Sequence, residues 1–96
     1  MIGVFAKVSI KAESIEAFEK SAQALVEATR SNDNGLVSYD FGTLSEEGTE
    51  GEYAFIERWE SHDALKEHMG KEHFTTAVGE WEEYLAEPLQ VSVYDF

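Results

Sequence analysis

Glu57, Trp59, His68 and His73 are the residues of this 96-residue chain whose types and spacing point to chemistry. All four fall between Tyr53 and Phe74, a stretch that also carries Phe55, His62 and Leu65. A carboxylate set between Phe55 and Trp59 on one strand face is partly desolvated. Burial disfavours its charged form, raises its pKa and suits it to proton transfer. An ion pair of Glu57 with Arg58, Arg30 or a lysine at a sheet edge is the structural alternative. His68 shares the inward stripe of its helix with Leu65, where a neutral imidazole accepts a proton; a core histidine with both nitrogens hydrogen-bonded is the other reading. His73 either caps the next helix or sits at its mouth, and His62, in a first helical turn, is read as solvated. Trp59, Phe41, Phe55 and Tyr53 would line a flat aromatic pocket or fill the core. No metal site is expected. His68 and His73 are five apart across a helix break, no His-Glu-x-x-His pattern occurs, and a two-histidine, one-carboxylate set would have to recruit Glu57 from another element. Gly-x-Gly-x-x-Gly and Gly-x-Ser-x-Gly are both absent, so nucleotide cofactors and serine hydrolysis have no support.

The elements that must position these residues follow from periodicity. Ile2, Val4, Ala6, Val8 and Ile10 alternate as a strand over residues 2–10. Ser14 is then an N-cap for a helix with Ile15, Phe18, Ala22, Leu25 and Val26 at three- and four-residue steps. Asn32-Asp33-Asn34-Gly35 ends it with turn chemistry. Two strands, 36–44 and 52–59, form a hairpin around the acidic loop 45–51. Tyr53, Phe55 and Trp59 lie on one face of the second strand, Ala54 and Ile56 on the other. Ser61 caps a short helix that Gly70 ends. A second helix carries Phe74, Ala77, Val78, Trp81 and Leu85, and Pro88 stops it; Leu89, Val91 and Val93 alternate in a last strand. This order is that of a single α+β domain over residues 1–96, a ferredoxin-like split βαβ sandwich. Because both sheet faces carry apolar groups, a second copy packing face to face is expected.

Seven basic residues against twenty acidic ones leave a formal charge of −13, which opposes approach to nucleic acids and anionic membranes, so neither is expected as a partner. Cysteine is absent, which excludes disulfides, thiolate nucleophiles and zinc–thiolate sites. The opening residues are too polar for a signal segment, and a cytoplasmic protein is expected.

Glu57-Arg58-Trp59-Glu60-Ser61, followed by Ala64-Leu65, His68 and His73-Phe74, and preceded by Gly35-Leu36-Val37-Ser38-Tyr39, resembles the antibiotic biosynthesis monooxygenase family, in particular its small quinol monooxygenase-like members. The resemblance runs over essentially the whole chain. It implies a dimeric α+β barrel with a pocket between sheet and helices. It also implies oxygenation of a small aromatic quinol or phenol by dioxygen without flavin, haem or metal, hence no cofactor. Trp59 matches the family's pocket tryptophan, His68 is the expected base, and Glu57 orients it or serves as an alternative base. Phe55 and Leu65 stand where the anthrone oxygenases carry Asn and Tyr, and the haem-degrading branch's histidine position falls near Val78. The resemblance therefore implies His68, Glu57 and Trp59 as catalytic and Phe55, Tyr53, Phe41, Leu65 and His73 as pocket residues. A non-catalytic dimeric binding or stress protein and a small-molecule isomerase are the alternative functions.

Overall fold

The computed structural model describes residues 1–96. Four strands, β1 (Ile2–Ser9), β2 (Leu36–Thr43), β3 (Glu52–Trp59) and β4 (Gln90–Asp95), form one antiparallel sheet in the order β2-β3-β1-β4. β3 is inserted between β1 and β2, so the helix α1 (Ile15–Asn32) is a crossover, as the split βαβ arrangement requires. The helices α2 (His62–Gly70) and α3 (Glu72–Trp81) connect β3 to β4, and α3 packs beside α1.

The period-two residues of β1 and β3 and the helical stripe of α1 meet in a single core. Phe18 of α1 is fully buried, with its ring 5.9, 4.9 and 5.1 Å from those of Phe41, Tyr53 and Trp81. Each such side chain contributes about 1.5–3 kcal/mol by leaving water, with a smaller gain from edge-to-face ring contact. On the opposite sheet face Phe5 and Ile56, cross-strand partners, remain exposed.

Several element ends differ from the sequence expectation, each for a local reason. Ser14 makes no side-chain cap; residues Ala12–Ser14 form a 3-10 turn that leads into α1 instead. Ser61 does cap α2, its hydroxyl accepting from the Ala64 N–H at 3.1 Å. α3 stops at Trp81 rather than running through Leu85. The carbonyl of Tyr84 accepts from the Lys11 N–H, and the Ala86 N–H donates to the Ser9 carbonyl, so the end of β1 satisfies the backbone. Glu82 and Glu83 would also have been placed at the negative end of a longer helix. Ile10 lies just beyond β1 in an isolated bridge with Leu85.

Candidate active site

The β2–β3 pairing brings Leu36 beside Trp59, so the end of α1 lies next to the start of α2. Asp33 is the C-cap residue of α1, its N–H bonded to the Thr29 carbonyl at 3.1 Å, and its extended backbone turns the chain out of the helix. Gly35 follows at φ +75°, a left-handed conformation costly for any residue with a Cβ. A Cβ there would also stand 2.6 Å from the Cβ of Ala64, so the glycine lets α2 approach closely. The approach aims the Asp33 carboxylate, 2% exposed, at the last turn of α2. The N–H groups of the Arg30 guanidinium donate to the Tyr39 carbonyl at 3.2 and 2.7 Å, tying α1 to β2 from the other side.

His68 reaches inward from that last turn. Its ring is packed among Tyr39, Trp59 and Phe74, edge-on to the first and last, with centroids 5.3, 4.6 and 4.9 Å away. Nδ1 is in direct contact with Asp33 Oδ2, and Nε2 lies 3.4 Å from the Tyr39 hydroxyl. An ionised carboxylate only accepts, so Nδ1 carries the proton and Nε2 presents its lone pair to Tyr39. Burial holds the His68 pKa below its ordinary value; Asp33 works in the opposite direction and His73 reinforces the burial. At neutral pH the ring is an uncharged base of defined tautomer. Burial, with the Glu57 charge nearby, pushes the Tyr39 phenol far up, so it stays protonated and serves as a donor. Glu57 is buried too. Desolvation raises it to about 7, although the Trp59 indole N–H donates to its Oε1 at 2.9 Å and works against the rise.

These polar groups edge a cavity of about 80 Å³ whose walls are otherwise apolar. Phe55 and Leu65 line it; so do Val78, Trp81 and, at the β4 flank, Val91. Val78 offers only methyl groups at the position where the haem-degrading relatives were expected to carry histidine. Other expected residues are placed differently. Trp59 has no exposed surface and lies beneath His68, reaching the polar cluster through Glu57 and not as a pocket wall. Phe41 and Tyr53 stack on each other at 5.3 Å away from this cavity, beside a wider depression of about 320 Å³ that contains no histidine. The Tyr53 hydroxyl is committed to Glu19 Oε2 at 2.6 Å. His73 does not reach the cavity; its Nε2 lies 2.7 Å from Asp33 Oδ1, on the far side of the carboxylate. Glu57 does not orient His68, and none of the expected cationic partners engages it: Arg30 is held by Tyr39 and Asp40, and Arg58 stacks on Phe96. His62 pairs with Asp95 at 2.8 Å on the surface.

The fold brings together one set of metal-ligating residue types that spacing did not anticipate: Asp33, His68 and His73, with ligand atoms within 4.8 Å of one another. Two ligands of a common tetrahedral ion with bonds near 2.1 Å stand about 3.4 Å apart. Here the carboxylate places a separate oxygen on each imidazole, so the three groups also pair with one another. Asp33 and Tyr39 are the site residues the sequence reading missed. Asp33 was read only as turn chemistry. Its signal was the hairpin register, which sets the residue three before Leu36 beside the segment that follows Trp59.

Known proteins resemble the chain in sequence and in fold. The sequence model described as antibiotic biosynthesis monooxygenase matches residues 1–80. A Bacillus subtilis protein named "Putative monooxygenase YcnE" is 35% identical over 92 residues, covering 95% of this chain and 93% of its own. A Mycobacterium tuberculosis protein named "Putative monooxygenase Rv0793" is 32% identical, covering 96% and 87%; its structure superposes with a TM-score of 0.90. The crystal structure of an antibiotic biosynthesis monooxygenase, 30% identical, covers 100% of this chain and 98% of its own with a TM-score of 0.89. In sequence and in fold alike, the chain belongs to the antibiotic biosynthesis monooxygenase family.

Proposed function

We propose that the protein is a monooxygenase that uses dioxygen to oxidise a small aromatic quinol or phenol without a resident cofactor, with His68 as the base. The observation that carries this reading is the buried Asp33–His68 pair, which leaves Nε2 directed at the Tyr39 hydroxyl beside an apolar cavity. Membership of a family whose relatives are named monooxygenases supports the reaction class.

The long Tyr39–His68 contact yields to a substrate hydroxyl, which then gives its proton to Nε2. The phenolate formed is electron-rich enough to pass one electron to oxygen. The two radicals recombine as a carbon–oxygen bond, the proton on His68 goes to the peroxide oxygen, and loss of water leaves a carbonyl on the ring. Tyr39, which stays protonated, and Glu57, which is protonated about half the time near pH 7, supply donors for the oxyanion. The apolar walls exclude water and hold the ring. A rigid cavity that holds benzene is about 150 Å³, so a single ring of this size enters only if a side chain yields. Met69, unbranched and half exposed at the rim, is the one built to do so.

A second copy of the chain is proposed to cover the open sheet face, because Phe5, Ile56 and Phe96 would otherwise leave apolar side chains in water. The test of function is oxygen uptake by metal-stripped protein across reduced naphthoquinols, benzoquinols and anthrones, corrected for autoxidation. Uptake that disappears in His68→Ala is the expected result. No uptake on any of these substrates would overturn the oxygenase reading in favour of a binding protein or an isomerase on this fold.

A further inference from the structure

The contacts behind His68 do not stop at Asp33. One carboxylate oxygen, Oδ2, meets His68 Nδ1; the other, Oδ1, faces His73 Nε2 at 2.7 Å. Asp33 Oδ1 and His73 Nε2 are both buried, and neither has an aligned hydrogen bond to any group. A carboxylate only 2% exposed needs a donor on each oxygen, since an ionised group left unpaired inside a protein is strongly disfavoured. At 2.7 Å a small turn of the imidazole aligns its N–H with Oδ1, and nothing else nearby meets that need. His73 stands at the start of α3, its side chain 20% exposed, and its outer side belongs to a cleft between α1 and α3 lined by Asn32, Glu72 and Thr76. It is therefore not in contact with the cavity; it acts on His68 through Asp33 and, from a ring centroid 6.2 Å away, by helping to hold the His68 pKa down.

We infer that His73 is a positioning residue: by donating to Asp33 Oδ1 from the outer cleft, it completes a His73–Asp33–His68 triad that fixes the carboxylate and so holds His68 in the tautomer whose Nε2 faces the substrate. This goes beyond the proposed function and rests on it insofar as the tautomer matters to catalysis. The mechanism is geometric. A carboxylate pinned at one oxygen only can swing about its Cβ–Cγ bond. Held at both, it keeps Oδ2 on His68 Nδ1 and leaves no alternative site for that proton. The same carboxylate joins the end of α1 to the last turn of α2 and the start of α3, so the triad also fixes the distance between those elements.

The experiment compares the wild type with His73→Phe, which keeps a ring of similar size and loses the donor, and His73→Gln, which keeps an N–H donor on a different frame. Nitrogen-15 histidine labelling gives only three rings to assign, His62, His68 and His73, and reports the tautomer of each without any substrate. In the wild type His68 is expected wholly as the Nδ1–H form. His73→Phe is expected to give a mixture of tautomers and, on any quinol the wild type oxidises, about a tenfold lower kcat at an unchanged KM. His73→Gln is expected to restore the single tautomer and most of kcat. A single Nδ1–H tautomer in His73→Phe would overturn the inference, as would Gln and Phe variants that behave alike. Circular dichroism and thermal unfolding on each variant identify a failure to fold. In that event Asp33→Glu, which keeps the charge but moves the carboxylate, takes their place: a wild-type His68 tautomer in it would overturn the triad. Failure of the oxygenase reading is seen separately, as no uptake on any quinol by a wild type whose His68 still shows the single Nδ1–H tautomer.

Discussion

At the scale of single residues the site holds two buried carboxylates in different company. Asp33 is contacted by two imidazoles, one on each oxygen, so it orients His68. Glu57 is buried with a single indole donor, and its pKa rises to about 7. The difference is testable through stability. An acid whose folded pKa lies above its unfolded value binds more protons when folded, so its contribution is fully present below about pH 4.5 and declines as pH rises to about 7. Two and a half pKa units correspond to about 3 kcal/mol as an upper bound. Glu57→Gln should therefore flatten the fall in stability across that window, measured as urea midpoints at half-unit pH steps; equal slopes in both proteins would refute the assignment. His68 acts in the opposite sense. Its pKa is lowered in the fold, so stability is lost as pH drops below about 6.5, and His68→Ala should remove that acid-side loss. In oxygen uptake the same variant should lose about a hundredfold or more, the usual worth of a positioned general base.

At the scale of elements the geometry of the proposed site depends on how α2 is seated against the α1–β2 turn. Two glycines make opposite predictions. Gly35→Ala places a Cβ against Ala64 in a left-handed backbone, and should destabilise the fold by about 1–3 kcal/mol while moving His68 away from Asp33, with a larger loss in kcat than in substrate affinity. Gly79, in α3, has no atom within 4 Å of a built Cβ and no positive φ; Gly79→Ala should stabilise by about 1 kcal/mol through helix propensity and leave activity unchanged. Thermal unfolding and oxygen uptake of the two variants side by side check both statements. Ser61→Ala, which removes the α2 cap, falls between them at about 1 kcal/mol of loss.

At the scale of the whole molecule two apolar regions are left uncovered. One is the open face with Phe5 and Ile56. The other is the β4 edge, where Val91 and Val93 share the face of Ala6 and Val4 through the strand register yet remain 54% and 50% exposed. The second region borders the cavity, so whatever covers β4 also closes the site. A dimer is expected by sedimentation equilibrium at micromolar concentration, and Ile56→Asp should dissociate it. Because each copy carries a formal charge of −13, association should strengthen between about 20 and 300 mM salt as repulsion is screened. A monomer at every salt concentration would remove the face-to-face arrangement.

Local patterning was enough to read the strand and helix order, the split βαβ topology, and the inward placement of Glu57 and His68. Period and capping are properties of a few consecutive residues, and this chain's apolar residues obey them consistently. The resemblance to the family likewise rested on residues close together in the chain. What only the tertiary structure decided was partnership. Asp33 and His68 are 35 positions apart and meet because the β2–β3 register and the small Gly35–Ala64 contact bring two helix ends together. The same packing turned His73 away from the cavity, kept Phe41 and Tyr53 under α1, and gave Glu57 an indole partner instead of a cation. Residue type and spacing state what a side chain is able to do. Which of its possible partners it finds depends on the long-range register and helix packing of the whole domain.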